Sequence, residues 1–116
     1  MENQMKVTFD LYVRRVQETA QKAYEFLEES LRPIVQVESG RKYHKVIIAH
    51  DGGTGQRMVH SFVDRKTGDL YKPAGWAAPA KGVRYNVVKD AARLQKVVDP
   101  YGSYLYKNYT ATPVQL

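Results

Sequence analysis

Seven apolar residues near the start of the chain recur at three- and four-residue steps: Phe9, Tyr12, Val16, Ala20, Ala23, Leu27 and Leu31. That spacing places them on one stripe of an α-helix. A helix with one apolar stripe must bury it against another element. The chain that follows offers short β-prone runs separated by turn residues, so the partner is a sheet. The spacing predicts a helix from about Thr8 to Arg32, with Thr8 as its N-cap and Asp10 well placed in its first turn. Pro33 ends it, because a proline disfavours helical backbone at the residue before it. A helix of about 25 residues spans roughly 37 Å. That is long for a chain of 116 residues. Either one end projects or a second copy covers it, and Leu11, Val13 and Tyr24 widen the stripe. A homodimer is therefore one expectation. The far side, with Arg14, Arg15, Glu18, Lys22, Glu25, Glu28 and Glu29, reads as a solvated face.

After Pro33 the period changes. Ile34 to Glu38 is a short strand and Ser39 to Lys42 a turn. Tyr43 to His50 is the clearest strand, apolar on both faces at Val46, Ile47 and Ile48, which argues for an inner place in the sheet. Asp51 to Gly55 connects it to a strand from Gln56 to Asp64. Arg65 to Asp69 is a hairpin loop in which Gly68 supplies the positive φ. Leu70 to Lys72 returns and is stopped by Pro73. A loop of small residues, Ala74 to Gly82, leads to a strand at Val83 to Val87 and a short helix within Val88 to Val98. Asp99 to Gly102 is a turn, and Ser103 to Tyr109 alternates like a final strand. The expectation is a single α+β domain over 1–116, with a long N-terminal helix on a small, mainly antiparallel sheet and a second short helix near the C-terminus. Residues 1–7 and 110–116 are expected to be flexible.

Several chemistries are disfavoured. The chain has no cysteine, which excludes disulfides and thiolate metal sites. No apolar run approaches a membrane span, and the N-terminus lacks a signal-peptide layout. The expectation is a cytoplasmic protein without a membrane partner. His44 and His50 share a face of an ideal strand but stand roughly 20 Å apart along it, so no metal site is expected. Ser61 follows His60 directly, and neighbours on a strand point to opposite faces, so no nucleophilic pair is expected. Asp51-Gly52-Gly53-Thr54-Gly55 lacks the Lys-Ser/Thr of a phosphate-binding loop and reads as a turn. Asp51, Asp64 and Asp69 lie beside turns, where aspartates satisfy backbone donors. The expectations are no catalytic residue, no enzyme activity and no cofactor.

Charge is the strongest bulk clue. Residues 1–38 hold five basic and seven acidic side chains, a balance of −2, while residues 39–116 hold thirteen and five, a balance of +8. A basic face attracts polyanions. Aromatic residues from Tyr71 onward, including Trp76, Tyr85, Tyr101, Tyr104, Tyr106 and Tyr109, alternate with Lys72, Lys81, Arg84, Lys89, Arg93, Lys96 and Lys107. Tyr71, Lys72, Trp76, Lys81 and Arg84 form the candidate nucleic-acid-binding set, with cations for phosphates and rings for bases. Trp76 has a second reading, as a plug at the end of the core.

The stretch FVDRKTGDLYKPAGWAAPAKGVR, residues 62–84, resembles a pattern in short uncharacterised proteins of tailed bacteriophages. The matching positions run from Phe62, Val63 and Asp64 through Thr67, Gly68, Asp69, Tyr71, Lys72, Pro73, Ala74, Trp76, Ala78, Pro79, Ala80 and Lys81 to Arg84. The resemblance implies a phage origin and a host-cytoplasmic setting, and it carries over no catalytic residue. Two functions follow from the sequence. The first is a small nucleic-acid-binding protein of low sequence specificity, with a single strand among its expected partners. The alternative is a protein-interaction module, a virion component or an inhibitor of a host factor, with an acidic protein surface as partner.

Overall fold

The computed structural model describes residues 2–106. Helix α1 runs from Glu2 to Ala23, followed by strands β1 (Ile34–Ser39), β2 (Tyr43–Ala49), β3 (Arg57–Asp64), β4 (Asp69–Tyr71) and β5 (Tyr85–Asn86), and by helix α2 (Ala91–Val97). The strands form one antiparallel sheet in the order β1-β2-β3-β4-β5. This is the α+β architecture expected, with β2 in an inner position.

One face of the sheet carries the main core. Phe9, Tyr12 and Val16 from α1 pack with Val46, Ile48, Val63 and Leu70 from the sheet, with Val87 just after β5, and with Leu94 and Val98 at the second helix. Each such side chain contributes roughly 1.5–3 kcal/mol by leaving water. Helix α2 is tied to α1 by Arg15 Nε donating to the Gln95 carbonyl at 2.9 Å and by Gln95 Nε2 donating to the Leu11 carbonyl at 3.3 Å.

Helix α1 begins and ends earlier than its apolar spacing predicts. It starts at Glu2 rather than near Thr8, and Met5 packs against the core. Thr8 is not a cap: its hydroxyl donates back to the Gln4 carbonyl at 2.9 Å inside the helix. At the other end the helix stops at Ala23. The Arg32 guanidinium donates to the carbonyls of Leu27 and Glu25 at 3.0 and 3.1 Å, acceptors that a continuing helix would use internally. Gln21 Nε2 donates to the Pro33 carbonyl at 3.0 Å, and Gln17 Oε1 accepts from the Val35 amide at 2.7 Å. The chain is thereby returned along the helix so that β1 can enter the sheet. Leu31, on the predicted stripe, is exposed.

The glycine-rich loop after β2 serves this return. The Gly52 amide donates to the Arg32 carbonyl at 3.2 Å, and a Cβ on Gly52 would overlap the Ser30 carbonyl oxygen. Gly52 also has a φ of +68°, which an L side chain adopts at a cost. The close approach that these glycines permit is to the chain's own 30–32 segment.

The β3–β4 turn follows its sequence signals. Asp64 Oδ1 accepts the amides of Lys66 and Thr67 at 2.8 and 3.0 Å, and Gly68 has a φ of +81°. Buried Asn86 clamps this turn to the one after β5. Its Nδ2 donates to the Thr67 carbonyl and to Asp69 Oδ1, and its Oδ1 accepts the Val88 and Lys89 amides.

The expected final strand is not formed in the described part of its range. Ser103–Tyr106 is a 3₁₀ turn, and the remainder lies outside the described residues. Asp99 Oδ1 takes the amides of Tyr101 and Ser103, and the Leu105 amide donates to the Gly102 carbonyl at 3.0 Å. The turn buries the adjacent residues Tyr104 and Leu105 together in the helix-side core. A strand would send them to opposite faces. Among the described residues no helix is long and apolar enough to cross a membrane.

Candidate nucleic-acid interface

The second face of the sheet is where the singular features of the sequence meet. Strand register places Glu38, Lys45, Phe62 and Tyr71 in one row across β1 to β4. Tyr43, two residues before Lys45, shares their face. Its ring lies edge-on to Phe62 at 6.0 Å and to Tyr71 at 5.9 Å. After β4 the chain does not leave the sheet. The Ala74 amide donates to the Ala78 carbonyl and the Ala80 amide to the Lys72 carbonyl, and Pro73 bridges Pro79. These contacts close a narrow loop that carries Trp76 back across the sheet.

Trp76 is not a plug in the helix-side core; 45% of its surface is exposed. The cations that meet it come from distant strands. Lys45 Nζ lies 4.3 Å from the indole centroid and the Arg57 guanidinium 5.3 Å. Arg57 is fixed in turn, with Nε donating to Gln36 Oε1 at 3.1 Å and NH2 to Glu38 Oε2 at 2.6 Å. That hydrogen bond holds the Glu38 carboxyl below the usual range. Glu38 therefore stays ionised and keeps the guanidinium in place. Lys42 adds a further cation over Tyr43 at 5.7 Å, and its ammonium lies 3.9 Å from Asp64. Burial raises the Asp64 carboxyl, but the amides of Thr67 and Lys66 and the Lys42 charge outweigh this and leave it lowered.

The sequence-derived set divides over this geometry. Tyr71 and Trp76 belong to the outer face. Lys72, one residue on, turns away, and its ammonium sits 4.5 Å from the Tyr106 ring. Lys81 is exposed on the loop, while Arg84 is half-buried and its guanidinium lies against Gly82. Burial, followed by the charge of Asp69, raises the Tyr71 hydroxyl above its ordinary pKa. Sequence reasoning missed Tyr43, Lys45 and Arg57. The alternation Tyr43, Lys45, Ile47 was a signal for the first two, but their meeting with Trp76 depends on where the loop lands. Lys107 and Tyr109 lie outside the described residues.

Two concavities among the described residues adjoin these elements. The smaller, about 350 Å³, lies beside the β1–β2 turn, with Tyr43, Phe62 and Ala77 in its wall and Arg41, Lys42 and Lys45 around it. The larger, about 930 Å³, separates the first turns of α1 from the β3–β4 turn. Part of its polar lining serves structure: Lys6 pairs with Asp10, and Asp64, Asp69 and Asn86 hold the turns.

His60 and Ser61 depart from the strand rule. Val46 pairs with Ser61 but Ile47 pairs with Val59, so His60 is the extra residue of a β-bulge. The bulge brings both side chains to the helix side, with His60 Nδ1 3.0 Å from Ser61 Oγ. His60 Nε2 lies 2.9 Å from the Asp99 carbonyl, which can only accept, so Nδ1 of the neutral ring accepts from Ser61. Ser61 Oγ then accepts from Tyr12 (2.7 Å), which accepts from Tyr104 (2.6 Å). Every hydroxyl has an acceptor. Burial lowers the His60 pKa and keeps the ring neutral, and burial raises Tyr12 and Tyr104. Ser61 has no exposed surface, so substrate cannot reach this pair. Among the described residues no three His, Cys, Asp or Glu side chains form a group able to hold a metal.

Residues 2–107 match the family of unknown function DUF7717. The chain belongs to that family. Neither a curated protein nor a solved structure matches it.

Proposed function

We propose that this DUF7717 member binds nucleic acid with low sequence specificity through the outer face of its sheet. The observation that carries the reading is Trp76, half-exposed on a face that also presents Tyr43, Tyr71, Lys42, Lys45 and Arg57. An indole held by cations on the protein and open to solvent is a platform on which any base can stack. The balance of +8 in residues 39–116 supplies attraction to phosphates, and the face carries no sequence-reading motif. The resemblance of residues 62–84 to tailed-phage proteins supports a host-cytoplasmic setting for this activity.

The test is binding of fluorescent oligonucleotides at low and at physiological salt. The expected result is affinity that falls steeply as salt rises, with quenching of the emission of Trp76, the chain's single tryptophan. Absence of binding at low salt overturns the proposal, because the attraction is strongest there.

A second reading has its own observation. Among the described residues β1 is an edge strand, and Ile34 and Val37 within it, with Phe26 and Leu31 before it, are exposed. An apolar sheet edge of this kind suits a protein partner. Capture of a defined protein partner that is lost on Val37→Lys, with no affinity for oligonucleotides, would favour this reading.

A further inference from the structure

The concavity of about 350 Å³ beside Trp76 bears on which form of nucleic acid the outer face accepts. Its volume is at the small end of ligand sites. Phe62 and Tyr43 give it aromatic walls set edge to face at 6.0 Å. Arg41 and Lys42 stand at the β1–β2 turn, both exposed, where phosphates flanking an inserted group would pass. Glu38 also lines it, with Oε2 held by Arg57 at 2.6 Å and Oε1 4.0 Å from the Lys45 ammonium. Ala77, next to Trp76 in the chain, also lines it, so the pocket and the indole are neighbouring positions along one track.

We infer that this pocket takes one unpaired nucleobase of a single strand while Trp76 stacks on the adjacent base. The inference rests on the nucleic-acid reading above and deepens it. A base in a duplex has its faces covered by stacking and its edge occupied by pairing, so it cannot enter without being extruded. An unpaired base carries no such cost. The pocket therefore makes the face selective for single strands, whereas the cations alone would hold either form.

The experiment compares a labelled single strand, the same strand with abasic sites replacing its bases, and a duplex of equal length, all at low salt. Two proteins are used, the wild type and Ala77→Leu. The substitution adds bulk at an exposed wall position and changes no charge, and the thermal midpoint checks its fold. For the wild type, the expected result is at least about fivefold tighter binding of the single strand than of the duplex or the abasic strand. Ala77→Leu is expected to lose the pocket's share of that preference, retaining what Trp76 stacking supplies, and to keep its duplex affinity. Equal, salt-dependent binding of all three ligands by wild type overturns the pocket and leaves the electrostatic reading standing. So does an unchanged preference in a folded Ala77→Leu protein. Absence of binding to any of the three at low salt overturns both. The abasic strand tests base contacts at the pocket and at Trp76 together on unaltered protein, and Ala77→Leu separates the pocket from the indole.

Discussion

His60 is buried, with its ring held between the Ser61 hydroxyl and the Asp99 carbonyl. Its folded pKa is depressed, burial being the largest cause, so the folded state binds a proton less readily than the unfolded chain. Stability is then fully present above the unfolded value of about 6.5 and is lost as pH falls below it, at up to about 1.4 kcal/mol per pH unit for one group. Urea unfolding at pH 7.5 and at 5.5 is expected to show the lower stability at 5.5. His44, lowered by burial and then by the Arg65 charge, acts in the same direction but is partly exposed. A His60→Gln variant is expected to flatten the dependence, and an unchanged slope would place the titration elsewhere. The hydroxyl chain makes a second residue-scale prediction. Tyr12→Phe removes the centre of the relay and leaves Ser61 and Tyr104 short of a partner in a buried site. The expected cost is about 1–3 kcal/mol by denaturant unfolding, with little change in volume.

At the scale of elements, the turn after β2 and the return after α1 act as one joint. Gly52→Ala forces a side chain into left-handed backbone against the Ser30 carbonyl. It is expected to cost roughly 1–3 kcal/mol, read as a lower thermal midpoint. Gly75 is the control, because a Cβ there meets nothing within 4 Å, and Gly75→Ala is expected to be nearly neutral. Equal effects at the two glycines would rule out the close approach as the cause. The helix illustrates what a pattern can and cannot carry. Phe9, Tyr12, Val16 and Ala20 are buried as their spacing requires. The same spacing continues through Leu27 and Leu31, and there the capture of carbonyls by Arg32 and of the Pro33–Val35 backbone by Gln17 and Gln21 prevails. Those interactions join residues 12 to 18 apart or close a turn, and no apolar repeat encodes them.

At the scale of the whole molecule, the sheet separates two tasks. Its helix side holds the core and the buried relay. Its outer side holds the half-exposed Trp76 with Lys45 and Arg57. Trp76→Ala is therefore expected to leave the unfolding free energy within about 1 kcal/mol of wild type, while weakening oligonucleotide binding by about fivefold or more. A large loss of stability with unchanged binding would return Trp76 to a packing role. The basic character of the chain's later part was plain from its residues. Which cations share a surface was not: Lys72 adjoins Tyr71 in sequence yet reaches Tyr106, while Arg57 reaches Trp76 from another strand.

The sequence by itself determined what depends on neighbours in the chain: the apolar stripe from Phe9 to Ala20, the five strands, the Gly68 turn, the short second helix and the absence of thiol chemistry. Only the tertiary structure decided what depends on register and return paths. A one-residue bulge turned His60 to the same side as Ser61. The hydrogen bonds of Asp99 turned an alternating segment into a 3₁₀ turn that buries Tyr104 beside Leu105. A loop closed by Pro73 and Pro79 brought Trp76 to Lys45 and Arg57. The physical reason is common to all three. Side-chain period follows from local backbone geometry, whereas the face a side chain occupies follows from pairing across the sheet, and that pairing is settled by burial of residues far apart in the chain.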